Sequence, residues 1–199
     1  MNLGDVKREI INLGFADEQE FEEFESLPYD AINRAITKIN LEVVPIVASI
    51  EIEQDGTDEE FQYYDMRQLT KKNGSQTFLD FAETPVMIET SEGTSRYEKF
   101  NDFEIEHGEI MVLPGDVAGT FKVFYKKAHT PVSEESEDTT AIELPLKAHH
   151  LVPLLASYYV WLEDERAKAE DYLADYKTAV GDLQMQASRP RARIVGVGI

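Results

Sequence analysis

The chain has 199 residues, enough for one domain of ordinary size or two small ones, and 42% of them are hydrophobic, so a buried core is expected. Its 39 acidic and 19 basic residues give a net charge of -20, which argues against binding to nucleic acid or to an anionic membrane surface. There is no cysteine, so disulfide bonds and thiolate zinc sites are excluded.

The chain also shows no targeting or membrane pattern. Its first residues have neither a basic start nor an apolar run, so no signal peptide is predicted. No stretch approaches the roughly 20 consecutive apolar residues of a membrane span. We therefore expect a soluble protein that is made in a reducing cytoplasm and has no membrane partner.

Two helices are predicted within residues 1–45. The first covers 3–13, where Asp5 can cap the helix. The second covers 27–43, has apolar residues spaced by three and four, and ends before Pro45. Both helices have one apolar face and therefore need a packing partner.

The pattern changes from residue 46, where apolar and polar residues begin to alternate as they do in a half-buried strand. Strands are predicted at 46–53, 60–66, 77–81, 86–90, 96–100, 103–107, 109–113 and 120–127. Turn residues separate them every eight to twelve positions, which is typical of an antiparallel sheet or small sandwich. Residues 46–128 are therefore predicted to form a β insert.

An acidic loop and linker is predicted at 129–145, followed by one long helix over 146–187. At about 1.5 Å per residue such a helix would be a rod roughly 60 Å long. Its apolar stripe needs a partner, either the N-terminal helices or a neighbouring subunit. The residues proposed for a subunit interface along this stripe are Leu155, Tyr158, Leu162, Tyr172 and Tyr176.

The order of helices, then strands, then a helix predicts the α+β class. In this arrangement the N-terminal helices pack with the long C-terminal helix. The antiparallel β-sheet or small sandwich is inserted between them, and the chain ends in an extended arm.

The arm, residues 188–199, differs in charge from everything before it. Its only charged side chains are basic, and apolar β-prone residues follow them: Arg189, Arg191, Arg193, then Ile194, Val195, Val197 and Ile199. Two interpretations stay open. The segment is either an unpacked chain end or an arm that adds a strand or fills a groove on another protein.

The sequence offers no clear catalytic constellation. The adjacent pair His149 and His150 would point about 100° apart on a helix and has no matching carboxylate, so a structural or capping role is expected. Residues 115–122 resemble a phosphate-binding loop only superficially, because the Gly-Lys-Ser/Thr ending is missing. We therefore predict no catalytic, metal or cofactor residues and no enzymatic activity.

Three parts of the chain match a known arrangement. They are the helix carrying Asn33, Ile36 and Asn40, the strand pair Gly108–Pro114 and Gly119–Lys126, and the segment Leu144–Tyr159 continuing to Arg166. Together they resemble the head–tail adaptor (connector) proteins of tailed bacteriophages. The resemblance spans most of the chain, although the β insert is larger than in the smallest adaptors and its role stays open.

The resemblance implies a structural virion protein at the head–tail interface. Such a protein forms a homo-oligomeric ring, commonly a dodecamer, beneath the portal protein, and it contacts a tail or tail-completion protein on the other side. The resemblance also implies that the C-terminal arm docks on the portal. A ring of acidic subunits would let DNA pass through its lumen without binding, since phosphates would find few cations there.

Two other functions stay open. Another virion part, such as a tail-completion or tail-tube protein, would share the acidity and the β content but would not need to touch the portal. An acidic DNA-mimic inhibitor would use the negative charge to compete for a basic protein. It would need acids along one face and would not need the basic arm.

Overall fold

The computed structural model describes residues 1–15, 19, 21, 27–57, 60–72, 78–89 and 97–188. The chain divides into two compact units. The first consists of Met1–Ile39 and Val132–Ile199, and the second consists of Asn40–Pro131. The α+β class is confirmed, with helices at both ends of the chain and two antiparallel sheets between them.

The first unit begins with helix α1, Leu3–Gly14. Its N-cap is Asn2 and not the predicted Asp5. The Asn2 side chain accepts a hydrogen bond from the Asp5 amide (2.8 Å), and the Asp5 carboxylate accepts one from the Asn2 amide (3.1 Å). This reciprocal pair satisfies two amides that the helix itself leaves open.

Helix α2, Leu27–Glu42, agrees with the predicted second helix to within one residue at its end. Its buried side chains recur at helical spacing: Ala31, Ile32, Ala35, Ile36 and Ile39. The last three residues of α2 belong to the second unit.

The predicted single helix over 146–187 is wrong. The structure has a 3-10 turn at Leu146–Ala148, then helix α4, Leu151–Trp161, and helix α5, Arg166–Ser188. The break falls at three consecutive acids, Glu163–Glu165, which are unfavourable beside the negative end of a helix dipole. Because the helix is broken, α4 and α5 pack on each other and bury their apolar faces within the chain.

The segment between Val132 and Pro145, which lies in the predicted acidic loop and linker, belongs to the first unit and is packed within it. Val132, Ile142 and Leu144 are buried. The side-chain amide of Asn33 holds both polar groups of Val132, accepting from its N–H (2.9 Å) and donating to its carbonyl (2.8 Å). A short β-bridge joins Asn2 to Ala141.

The second unit contains two antiparallel sheets. The strands are β1 (Val47–Asp55), β2 (Phe61–Asp65), β3 (Phe78–Glu89), β4 (Tyr97–Lys99), β5 (Glu104–Glu106), β6 (Ile110–Pro114) and β7 (Ala118–Lys127). One sheet has the order β1-β7-β3-β4, and the other has the order β2-β6-β5. Helix α3, Met66–Lys72, follows β2 directly.

Two details of this unit differ from the sequence prediction. The separate strands expected at 77–81 and 86–90 form one strand, β3, whose register against β7 shifts between Phe81 and Val86. Helix α3 was not predicted. Its core contact comes from Met66, which is fully buried where β2 was expected to end.

The core of the second unit lies between its sheets and α3. It is formed by Ile50, Ile52, Met66, Phe78, Phe81, Val86, Met111, Leu113, Phe121, Val123 and Tyr125. The connection into β1 is held by Asn40, which is 5% exposed. Its side chain accepts from the Ile46 amide (2.6 Å) and donates to the Lys127 carbonyl (2.8 Å).

Candidate interaction surfaces

The predicted interface stripe is largely inside the subunit. Leu155, Tyr172 and Tyr176 are buried in the first unit, while Tyr158 and Leu162 are half-buried. The first three side chains are therefore not available to a neighbouring subunit, which corrects the idea of an exposed seam along all five. A role for Tyr158 and Leu162 in contacts between subunits stays a prediction.

One buried residue of that stripe, Tyr172, joins α1 to helix α5. The hydroxyl of Tyr172 donates a hydrogen bond to the carbonyl of Leu13. Burial raises the pKa of Tyr172, and the nearby acids Glu165, Asp171 and Asp175 raise it further. The phenol therefore keeps the proton that this hydrogen bond requires.

Trp161 lies at the centre of the same junction. Its ring lies against Phe15, with the centroids 5.0 Å apart. The Lys168 ammonium group lies 3.3 Å from the Trp161 ring centroid and donates a hydrogen bond to the Gly14 carbonyl (2.8 Å). A cation over an aromatic face and a helix-terminal carbonyl satisfied by a lysine both stabilise this end of α1.

The half-buried tyrosines of α4 are also engaged. The rings of Tyr158 and Tyr159 are in contact, with centroids 5.1 Å apart. The Arg34 guanidinium from α2 lies 4.3 Å from the centre of the Tyr159 ring. These contacts order the two tyrosines within the first unit, and they leave part of each ring at the surface.

The exposed apolar side chains that sequence reasoning missed lie mainly in the second unit. Phe61 and Tyr63 point to the same face of strand β2 and are 58% and 61% exposed. Their partners in β6 are Pro114 and Val112. The alternation in 60–66 predicts that Phe61 and Tyr63 share a face, but only the sheet order shows that this face is open to solvent.

Negative charge is spread over both units. Residues 40–131 contain 18 acidic and 8 basic residues, a net charge of -10, and the remainder contains 21 acidic and 11 basic residues, also -10. The remainder includes the three arginines of the arm, so its charge without them is -13. The arm therefore opposes the charge of both units.

The arm residues Arg189, Arg191, Arg193, Ile194, Val195, Val197 and Ile199 lie outside the described residues. What the structure describes is their attachment point, the end of α5 at Ser188.

The histidines do not form a metal site in the part of the chain that the structure describes. His149 follows the 3-10 turn, and its Nε2 is hydrogen-bonded to the Leu144 carbonyl (2.7 Å). Within the same described ranges, no group of three or more histidine, aspartate or glutamate side chains could hold a metal ion. No helix among the described residues is both long and apolar enough to cross a membrane.

Comparison with known families identifies the class of the protein. The family model described as SU10 adaptor protein matches residues 1–196, almost the whole chain. The chain therefore belongs to the SU10 adaptor protein family, a family of phage head–tail adaptors, which confirms the resemblance found in the sequence. No curated protein matches the chain.

Family membership makes the protein a phage adaptor and a component of the virion. It also implies contacts with other virion components.

Proposed function

We propose that the protein forms a ring, a dodecamer, beneath the portal at the head–tail interface and that its C-terminal arm docks on the portal protein. The other side of the ring contacts a tail or tail-completion protein. The observation that carries this proposal is the reversal of charge at Arg189, in a chain that belongs to an adaptor family.

The charge distribution supports a ring through which DNA passes. Both units carry a net charge of -10, so the wall of a lumen built from either unit would offer DNA few cations. Counterion release drives most nonspecific DNA binding, and it requires lysine or arginine against the phosphates. DNA would therefore pass during genome ejection without being held.

The same charge makes neighbouring subunits repel each other, so a ring needs attractive contacts. Since Leu155, Tyr172 and Tyr176 are buried within the subunit, the contacts must come from other residues. Tyr158 and Leu162 remain candidates, and the exposed pair Phe61 and Tyr63 joins them. The arm supplies the electrostatic contact to the portal, where arginines pair with carboxylates.

No catalytic step is part of this proposal. The protein would act by position and shape, as a structural adaptor. Another virion role, as a tail-completion or tail-tube protein, is the main alternative. A DNA-mimic inhibitor is less well supported, because an acidic mimic does not need a basic arm.

The direct test is binding of the purified chain to portal rings, followed by sedimentation and electron microscopy. Three proteins are compared: the full chain, a chain ending at Ser188, and a chain with Arg189, Arg191 and Arg193 changed to Gln. The matched control changes three exposed basic residues outside the arm, Lys147, Arg166 and Lys177, to Gln.

The full chain and the control are expected to decorate the portal ring, while both arm variants lose binding. If all four proteins bind equally, the adaptor ring can stand but the arm is not its anchor. If none binds, the portal proposal fails and a tail-completion or tail-tube role becomes the better explanation.

A further inference from the structure

Strand β1 lies at the edge of the larger sheet. Its only strand neighbour among the described residues is β7, in the order β1-β7-β3-β4. At nine residues, Val47–Asp55, it is long for an edge strand. Edge strands present a row of backbone N–H and C=O groups to which another strand can be added.

The hydrogen-bond pattern shows which residues of β1 face that open edge. The Lys127 amide donates to the Ile46 carbonyl (3.0 Å), and the register pairs Val47 with Lys126. In an antiparallel pair, residues alternate between those that bond to the partner and those whose polar groups point away. The outward-pointing residues are therefore Val47, Ser49, Glu51, Glu53 and Asp55.

The side chains of these five residues are all exposed, and three of them are acidic. Glu51, Glu53 and Asp55 are spaced by two and thus lie on one face of the sheet. Like charges placed opposite each other are destabilising in a sheet, so these acids oppose pairing of β1 with a second β1. A cationic strand would instead be attracted.

Two of the acids have hydrogen-bond partners within the unit and can still accept further hydrogen bonds. Glu51 accepts from the Tyr97 hydroxyl (3.1 Å) and lies 3.5 Å from the Lys122 ammonium nitrogen. Asp55 accepts from the amide (3.1 Å) and hydroxyl (2.8 Å) of Thr57. A carboxylate offers about four acceptor positions, so each acid can also accept from an arginine.

The C-terminal arm has the same spacing with the opposite charge. In an antiparallel register the pairs would be Arg189 with Asp55, Arg191 with Glu53, Arg193 with Glu51, Val195 with Ser49 and Val197 with Val47. Three arginines then face three acids, and an apolar residue faces the exposed Val47. A parallel register would also pair the arginines with the acids, but it would carry the apolar end of the arm beyond β1.

The position of proline agrees with the antiparallel register. Pro190 would face Gln54, a residue whose own polar groups point back towards β7. Proline lacks an N–H and is tolerated in a strand only where no ladder hydrogen bond is needed. On the other face, Ile194 would lie opposite Ile50, which is part of the buried core.

We propose that, in the absence of the portal, residues 189–199 of one copy add as an antiparallel strand to β1 of a second copy. The added strand brings three positive charges to an acidic edge and so offsets part of the repulsion between copies of charge -20. This inference goes beyond the portal-docking proposal. If the arm both docks on the portal and adds to β1, then the portal and β1 of a second copy compete for the same arm.

Because the chain contains no cysteine, the register can be tested by introducing one pair. Two single-cysteine variants are made, Ser49→Cys and Val195→Cys, and one of them is isotope-labelled. They are mixed in the absence of portal and then oxidised. Directly opposed residues in a hydrogen-bonded antiparallel pair have Cα atoms about 5.5 Å apart, within the range of about 4.4–6.8 Å that a disulfide spans. The control replaces Val195→Cys by Ile194→Cys, which would point to the other face.

The expected result is a mixed disulfide dimer from Ser49→Cys and Val195→Cys that exceeds both the same-variant dimers and the Ile194→Cys control. Reversing two acids, Glu51→Lys with Glu53→Lys, should lower that yield about tenfold, which corresponds to about 1.4 kcal/mol for the two lost pairs together. Adding Arg191→Glu and Arg193→Glu to the partner should restore it.

Equal yields from the Val195 and Ile194 variants would overturn the register and the proposal with it. A double variant, Ser49→Cys with Val195→Cys, that forms only a disulfide within one chain would overturn the exchange between copies. Failure to bind portal rings would bear on the proposed function alone, because the cross-linking uses no portal.

Discussion

At the scale of single residues, the junction around Gly14 shows how closely α1 is packed on the C-terminal helices. A Cβ atom at Gly14 would lie 2.6 Å from Trp161 Nε1 and 3.0 Å from the Tyr172 hydroxyl. Both neighbours are large and buried, so neither can move without disturbing the core. The sequence predicts Gly14 as a helix end, but not this close approach.

We expect Gly14→Ala to lower the free energy of unfolding by about 1–3 kcal/mol, because the added methyl group overpacks a filled site. The matched control is Gly181→Ala in α5, where a Cβ would meet no atom within 4 Å. That change should be neutral or stabilising by up to about 1 kcal/mol. Urea unfolding followed by fluorescence of Trp161, the only tryptophan, measures both. Equal losses from the two variants would contradict the packing argument.

Asp80 gives a residue-scale prediction about pH. Its hydrogen bond with Lys126 (2.8 Å) lowers the pKa of the Asp80 carboxyl below its usual 3.8 in the folded protein. A carboxyl with a lowered folded pKa stabilises the fold above its unfolded pKa and loses that contribution as pH falls through the folded value. The stabilisation should therefore be complete near neutral pH, begin to fall near pH 3.8, and be lost once the pH is below the lowered folded pKa.

Asp80→Asn should cost less than about 1 kcal/mol near pH 7, because the pair is largely exposed to solvent, and should cost nothing at pH 2. Urea unfolding at the two pH values checks this. The control is Asp116→Asn, an exposed acid in the turn before β7, which removes one charge without touching the Asp80–Lys126 pair. A difference between wild type and Asp80→Asn that persists at pH 2 would contradict the assignment.

At the scale of elements, asparagine side chains hold the chain where helices and strands connect. Asn33 on α2 holds the backbone of Val132, and Asn40 near the end of α2 holds Ile46 and Lys127. Both residues lie in the segment that carries the family resemblance. The sequence identified them by that resemblance, while their role in fixing distant backbone came only from the fold.

Asn33→Ala should lower the free energy of unfolding by about 1–3 kcal/mol, because it leaves two partly buried backbone groups without this side chain. Asn33→Asp should also destabilise the fold, since a carboxylate cannot donate to the Val132 carbonyl. Asn12→Ala, at an exposed site on α1, is the control and should change little. Hydrogen exchange at the Val132 amide should be faster in both Asn33 variants. Unchanged exchange there would show that Asn33 does not hold this segment.

At the scale of the whole molecule, charge is the dominant feature. The net charge is divided evenly between the two units, at -10 each, and the arm is a segment whose charged side chains are all basic. This distribution supports a protein that repels DNA, that needs apolar or arm-mediated contacts to associate, and that carries one segment suited to acidic surfaces.

We expect the full chain to leave duplex DNA unretarded in gel shift at micromolar protein and physiological salt. Nonspecific DNA binders reach dissociation constants of about 10⁻⁴–10⁻⁶ M through cationic contacts, and in the full chain the net charge of -20 opposes the contacts that the arm could make. A synthetic peptide of residues 189–199 should retard the same DNA at low salt. Retardation by the full chain that persists at physiological salt would argue against a lumen through which DNA passes freely.

Several properties of this protein follow from the sequence by itself. The net charge, the absence of cysteine and the reversal of charge at the arm depend only on which residues are present. The change from helical to alternating spacing near residue 46 predicts the α+β class, because side-chain periodicity is a local property of the backbone. The family resemblance also rests on local segments, and the family match confirms it.

The tertiary structure decided what depends on contacts between distant residues. The stripe of 146–187 has the spacing of one helix, but whether it forms a rod or folds onto itself depends on which packing buries more apolar surface. The structure breaks it between Trp161 and Arg166 and buries Tyr172 and Tyr176 within the subunit. Strand order likewise placed β1 at an edge and left Phe61 and Tyr63 exposed, because pairing between strands is a long-range choice that alternation alone cannot specify.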